Sequence, residues 1–197
     1  MAFYVTSDLH FGHNNICGPE GFVDTRKHFE STADMNEAII EAWNSVVTVE
    51  DTVYHLGDLS MNLKRQDLLK LIERLNGKLI LIKGNHDSNK LLNWLEEQAK
   101  DKIEVKRMGD IVKRNKVSYL LTHYPQGIGE RSRRIRNLCG HIHDQVADEA
   151  NVLNVGVDSP EINSVKFGTP LKLDDAMDLV DEKHEKYLRN FRRSNNV

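Results

Sequence analysis

Seven candidate metal donors, Asp8, His10, Asp58, Asn85, His123, His141 and His143, occur in the blocks Asp8-Leu9-His10, Gly57-Asp58, Gly84-Asn85-His86-Asp87, His123 and Gly140-His141-Ile142-His143, each placed where an apolar run stops. Their donors are carboxylate, amide and imidazole with no thiolate, a set that suits borderline divalent ions such as Mn, Fe, Ni or Zn and not a closed structural zinc. Seven donors exceed one tetrahedral ion, and their oxygens are too few for calcium, which takes about six to eight. They fit two ions sharing a ligand. A carboxylate bridges readily and an imidazole normally does not, so Asp58, the carboxylate in the middle of the set, is the expected bridge. Asp8, His10 and one C-terminal histidine then complete one ion, and Asn85, His123 and the other C-terminal histidine complete the second. Ions held about 3.5 to 4 Å apart share a water, bring its pKa toward neutrality and present a hydroxide nucleophile. A phosphate ester is its natural electrophile.

These groups need a frame that brings distant loops together. The runs that end at them, residues 3–6, 53–56, 79–82, 117–121 and 135–138, are β-branched or leucine-rich and read as buried strands. Loops leaving the carboxyl ends of neighbouring strands open into one crevice. Between the strands the period becomes helical. Residues 33–47 carry Met35, Ile39 and Trp43 behind Ser31 or Thr32 as N-cap, and residues 65–75 carry Leu68, Leu71 and Ile72 and stop at Asn76-Gly77. Residues 88–100 start at a capping Ser88 and bury Leu91, Leu92 and Trp94 or Leu95. A strand over 78–83 follows Gly77 at once. Residues 103–107, 110–114 and 117–122 read as further strands, the last two joined across Asn115-Lys116 as a hairpin. The first half is thus βαβα in type and the second leans toward antiparallel β. Residues 159–169 form a connector, and 174–191 an amphipathic tail helix without chemistry that leaves His184 at the surface or half-buried. The expected fold is α/β, two packed mixed β-sheets flanked by helices, in one domain over residues 1–197.

The blocks Asp8-Leu9-His10, Gly57-Asp58-Leu59-Ser60, Gly84-Asn85-His86-Asp87, Thr122-His123 and Gly140-His141-Ile142-His143 follow the motif order of the calcineurin-like metallophosphoesterases, and over residues 3–158 the chain resembles that family. Its opening Ser7-Asp8-Leu9-His10-Phe11-Gly12-His13-Asn14-Asn15-Ile16 is similar to a small bacterial and phage subgroup. The resemblance implies a four-layer sandwich. It also implies that Asp8, His10, Asp58 and His143 hold one metal while Asp58, Asn85, His123 and His141 hold the other. For His86 it implies the role that its position beside Asn85 already suggests, protonating the leaving oxygen or holding an equatorial one, with Asp87 orienting the imidazole. The expected reaction is in-line attack of the shared hydroxide on phosphorus, with no covalent intermediate.

The other polar residues near these blocks carry weaker expectations. His13 shares the loop of His10 and reaches either the substrate or a supporting position behind the metals. Arg26, in the polar loop before Phe29, is expected to touch the substrate phosphate, while His28 has no assigned role. Arg131-Ser132-Arg133-Arg134-Ile135-Arg136 places four arginines before the last histidine block, and Arg131 is expected to bind phosphate there unless the run is a solvated strand entry. His55 reads as a hydrogen-bonded core histidine.

Composition limits the partners. With 27 Lys and Arg against 30 Asp and Glu, net charge −3, the chain lacks the basic face that long nucleic acid requires unless a partner subunit brings one. A repair nuclease is therefore disfavoured, and a non-catalytic scaffold is disfavoured by the complete ligand set and by His86. No apolar stretch is long enough for a membrane span and no signal peptide opens the chain, so the expected compartment is the cytoplasm. Cys17 and Cys139 read as lone thiols. The expected function is hydrolysis of a small phosphodiester, a nucleotide or cyclic nucleotide among them, with two divalent ions, Mn foremost. A diester is preferred to a monoester because its poor alkoxide leaving group is what a proton from His86 serves.

Overall fold

The computed structural model describes residues 1–162 and 164–194. In chain order its first half contains β1 (Phe3–Thr6), α1 (Thr32–Asn44), β2 (Thr52–His55), α2 (Arg65–Arg74), β3 (Lys78–Ile82), α3 (Asn89–Gln98) and β4 (Ile103–Lys106). The second half adds β5 (Asp110–Arg114), β6 (Val117–Leu121), β7 (Ile135–Cys139), β8 (Val152–Asn154), β9 (Leu171–Lys172) and α4 (Leu173–Ser194). One sheet has the order β4-β3-β2-β1-β9 and the other β5-β6-β7-β8.

Strands β1 to β4 are parallel, each reached from the last through a helix, and the inner strands β1 to β3 carry apolar side chains on both faces, as a doubly covered parallel sheet requires. On one face Tyr4, Val53, Leu79 and Leu81 pack against Met35, Ile39 and Trp43 of α1, Ile72 of α2 and Leu92 and Leu95 of α3. Ser31 caps α1 by accepting from Asp34 N–H at 3.1 Å, and the buried Trp43 donates its indole N–H to the Asn76 carbonyl at 3.0 Å. On the other face Val5, Tyr54, Leu56 and Ile82 meet Tyr119, Leu121, Leu138 and Leu153 of the second sheet. Met177 and Val180 of α4 join that cluster, so α4 lies in the seam between the sheets.

The second half departs from its antiparallel expectation. The β5–β6 hairpin is antiparallel and turns on Asn115 and Lys116, both at positive φ (50° and 66°), as a two-residue loop with the strand twist demands. However, β6, β7 and β8 run parallel to one another, because each must deliver its last residues to the same edge. The expected connector holds a short helical turn, Pro160–Ile162, whose Ile162 is buried between the sheets. His184 is fully buried in the seam, its Nε2–H donating to the Glu130 carbonyl at 2.5 Å, and not at the surface. Cys17 and Cys139 are free thiols. Among the described residues no helix is long and apolar enough to cross a membrane.

Candidate metal centre

The motif residues all follow the carboxyl ends of parallel strands. Asp8 and His10 follow β1, Asp58 follows β2, Asn85 and His86 follow β3, His123 follows β6, and His141 and His143 follow β7. The sheets are joined at this edge by a bridge between Ser7 and Gly156, where Val157 N–H donates to the Ser7 carbonyl at 3.1 Å. Two groups converge there, Asp8 with His10 and His143, and Asp58 with His123 and His141, the donor atoms of each lying within 4.8 Å of one another. Asn85 adds to the second, its Oδ1 2.8 Å from His123 Nε2.

Convergence bends the backbone. Asp8 (φ 61°), His10 (51°), Asp58 (57°), His141 (72°) and His143 (46°) are all left-handed, a conformation that costs a non-glycine residue on the order of 1–3 kcal/mol and survives only where the surroundings impose it. Close packing does so. A Cβ on Gly84 would collide with the Asp58 carboxylate, and one on Gly140 with Ser7 Oγ and the Asp8 carboxylate, so each loop lies flat against a neighbour's ligand.

Hydrogen bonds then aim the donor atoms. Asp8 Oδ2 accepts from His141 N–H at 2.9 Å and Asp58 Oδ1 from His86 N–H at 2.8 Å, leaving the second oxygen of each carboxylate for the crevice. Asp58 Oδ2 lies 3.6 Å from His10 Nε2 and 3.4 Å from His123 Nε2, so one oxygen faces a nitrogen from each group. His123 donates its Nδ1–H to the Leu56 carbonyl at 2.8 Å, His143 Nδ1 faces Asp158 Oδ2 at 3.4 Å, and His10 Nδ1 faces His13 Nδ1 at 3.2 Å. A proton held at Nδ1 frees each Nε2 as a lone-pair donor.

Asp8 Oδ1 and His10 Nε2 are buried without a hydrogen-bond partner. Buried polar atoms are seldom left so, and a divalent ion between them supplies the missing partner. Burial pushes the Asp8 carboxyl up, against the opposing charges of His123 and His143. Burial also acts to raise Asp58, but hydrogen bonding and charge from His123, with the His86 N–H, bring it down to about 2. Burial, followed by the charge of Arg26, lowers His10 to about 2, so its imidazole is neutral and able to ligate. The donor set, carboxylates, an amide and imidazoles with buried unpartnered atoms among them, fits two divalent ions.

Three expected site residues sit elsewhere or act otherwise. Arg26 is fully buried: it pairs with Asp158 (Nη2–Oδ2 2.6 Å, Nε–Oδ1 2.9 Å) and donates to the carbonyls of Asp8 (2.6 Å) and Leu9 (2.9 Å). The bent loop turns those carbonyls off the strand ladder, and the guanidinium fork takes both. Arg131 lies before the amino end of β7, opposite the histidines, with its guanidinium 5.2 Å from the Phe191 ring, and Arg136 of the same run pairs with Asp181 of α4 at 3.0 Å. Asp87 does not orient His86: its buried carboxylate accepts from the backbone N–H groups of Asp58 (2.8 Å), Gly84 (2.9 Å) and Leu59 (3.2 Å), locking two ligand loops together.

His13 is buried against His10, while His86 is part-exposed over the centre with Nε2 3.9 Å from Asp58 Oδ2. His55 is buried and accepts from Gly57 N–H at 3.3 Å, and His28 is exposed. The residue that sequence reasoning missed is Asp158, partner of both Arg26 and His143. A signal was present, since Gly156-Val157-Asp158 follows the strand-like Val152-Leu153-Asn154-Val155 much as the other groups follow their runs.

Arg26→Ala is expected to destabilise the fold by roughly 3–5 kcal/mol, because the buried Asp158 carboxylate loses its guanidinium and keeps only the Thr25 and His143 contacts. A lowered urea midpoint with unchanged slope would record it. Burial acts to raise Asp158, but the charge of Arg26 and hydrogen bonds from His143, Arg26 and Thr25 hold it well below the usual range. The pair's contribution is therefore complete above the unfolded aspartate value of about 3.9 and fades as pH falls toward the folded value, so the gap between wild type and variant narrows on acidification.

A parallel-stranded α/β sandwich whose strand ends gather aspartate, asparagine and histidine in this order defines the metal-dependent phosphoesterases. The chain belongs to the calcineurin-like phosphoesterase superfamily, whose domain matches residues 1–167. It is 26% identical to the gene 66 protein of Mycobacterium phage L5, over 92% of this chain and 95% of that protein. An uncharacterised protein of Methanocaldococcus jannaschii is 40% identical over 85 residues, 43% of this chain and 46% of that one, so the chain spans about half the length of that relative. The crystal structure of a protein of unknown function from Aquifex aeolicus shares the fold with a TM-score of 0.64 at 24% identity, covering 90% of this chain and 98% of that one.

Proposed function

We propose that this protein hydrolyses small phosphodiesters of nucleotide type with two divalent ions, held by Asp8, His10, Asp58 and His143 on one side and by Asp58, Asn85, His123 and His141 on the other. The observation that carries the reading is the placement of Asp58 Oδ2 between His10 Nε2 and His123 Nε2, at 3.6 and 3.4 Å. When bound, such an ion pair supplies Lewis acidity and an activated water for attack on phosphorus. The protein's own residues do the rest. Asp87 and the Asp158–Arg26 pair keep the ligand loops rigid, and His13 holds His10 in its ligating tautomer. His86, part-exposed above Asp58, delivers a proton to the leaving oxygen.

A diester is favoured over a monoester because neither arginine expected to contact the substrate phosphate, and so able to clamp a dianion, faces the crevice. Arg26 is sealed behind the β1 loop, and Arg131 stands at the other end of β7. Imidazoles and the Asn85 amide line the centre itself, suited to the single charge of a diester, while Lys83 and Arg107 lie farther along the cavity beside His123. Two free thiols suit a reducing compartment, and we place the activity in the cytoplasm. The partner is the substrate itself, with long nucleic acid excluded unless another subunit supplies a basic surface.

Chelation is expected to abolish hydrolysis, and Mn to restore more activity than Mg, because four imidazoles bind a borderline ion better than a hard one. The test is a screen of metal-loaded protein against dinucleotides, cyclic nucleotides, nucleoside monophosphates and bis-aryl phosphates. Preference for monophosphates would overturn the diester assignment, and full activity in Mg alone would overturn the metal assignment.

A further inference from the structure

Two exposed aromatic rings stand against histidines of different ligand groups. Phe22, 59% exposed, meets His143 edge-on (ring centres 5.9 Å, 87° between planes) and His13 at 5.8 Å. Tyr124, 47% exposed, meets His141 at 4.6 Å and His123 at 5.1 Å. Beside Tyr124 a cavity of about 370 Å³ opens from Asn85 and His123 toward Lys83, Arg107 and Gln126. Large rings left in water at a polar site have no packing reason to be there, and an aromatic face beside a phosphate site is how single-stranded nucleotides are held.

We propose that Phe22 and Tyr124 are stacking platforms for the two nucleosides of a linear dinucleotide whose scissile phosphate lies between the two ligand groups. The proposal rests on the phosphodiesterase reading and narrows its substrate. A monoester has one organic arm and would leave one ring without an occupant. A cyclic mononucleotide has a single base and meets the same objection, and a glycerol-type diester has two arms but no ring face to stack. Lys83 adds positive charge along the Tyr124 arm, where a further phosphate on that nucleoside would lie, beside an Arg107 that pairs with Glu96 at 2.6 Å.

The test compares kcat/KM of the manganese-loaded full chain on dithymidine phosphate and on glycerophosphoethanolamine, a diester without rings. Affinity for the slowly cleaved phosphorothioate of the dinucleotide is measured alongside. Phe22→Leu and Tyr124→Leu keep apolar bulk and remove the ring. Each should lose on the order of tenfold to a hundredfold on the dinucleotide, chiefly in KM and in phosphorothioate affinity, and at least about tenfold more than on the glycerol diester. Tyr124→Phe should restore both quantities. Equal losses on the two diesters, or Tyr124→Phe as impaired as Tyr124→Leu, would overturn the platforms. If the wild type cleaves neither diester, the phosphodiesterase reading fails by itself, and unchanged phosphorothioate affinity in both leucine variants would overturn the platforms independently.

Discussion

Asp58→Asn is expected to lower turnover by on the order of a thousandfold or more, and further than Asp8→Asn does. Both substitutions keep size and one oxygen, but only Asp58 presents an oxygen to nitrogens of both groups, His10 at 3.6 Å and His123 at 3.4 Å. Removing its charge weakens both ion positions at once. A bound ion pair would supply several kcal/mol of transition-state stabilisation, and each 1.36 kcal/mol is about tenfold in rate. Asp8, which faces one group and is anchored by His141 N–H, should cost one ion when changed. Metal content after dialysis, read beside the rate, separates the cases. Two retained ions in Asp58→Asn with a rate like that of Asp8→Asn would refute the bridge.

His86→Ala should keep both ions and the fold while turnover falls by roughly a hundredfold to ten-thousandfold, the usual yield of a positioned acid. Its side chain is not among the ligand groups, and the hydrogen bond it lends Asp58 comes from its backbone, which alanine retains. The loss should depend on the leaving group. An alkoxide needs the proton in the transition state, whereas nitrophenolate leaves without it and should suffer less. Equal losses on both substrates would make His86 a holder of equatorial oxygens and end its assignment as general acid. Loss of metal would make it a ligand.

The site was legible in the sequence to the extent that its residues sit where hydrophobic runs stop. Strand β1 could be read at its true bounds because four consecutive apolar or β-branched residues precede a polar break, and β6 to within a residue because Tyr119, Leu120 and Leu121 precede His123 closely. Direction was harder: the hairpin across Asn115-Lys116 made the whole second half read as leaning antiparallel, whereas β6 and β7 run parallel, with His123 and His141 emerging on one edge. Strands β8 and β9, of three and two residues, are too short to show a period at all. Arg26 and Arg131 failed for one shared reason. Charge near a motif in sequence says nothing about which way the chain carries it, and burial reversed the first while the length of β7 removed the second. Asp87 was read as a partner for its neighbour's imidazole, whereas three backbone N–H groups that no sequence pattern reveals had claimed it.

The pairing of Arg26 with Asp158 joins residues 132 positions apart. Closing so long a loop is entropically expensive and contributes little until most of the chain is in place, which puts the contact among the late events of folding. Before β8 docks, the β1 loop has no clamp for its outward carbonyls and His143 has no carboxylate behind it. Divalent ions held at this centre would then bind fully only a chain that has finished closing its two sheets. Metal occupancy would follow completed folding, and by mass action a bound ion would hold shut the last step by which the centre is made.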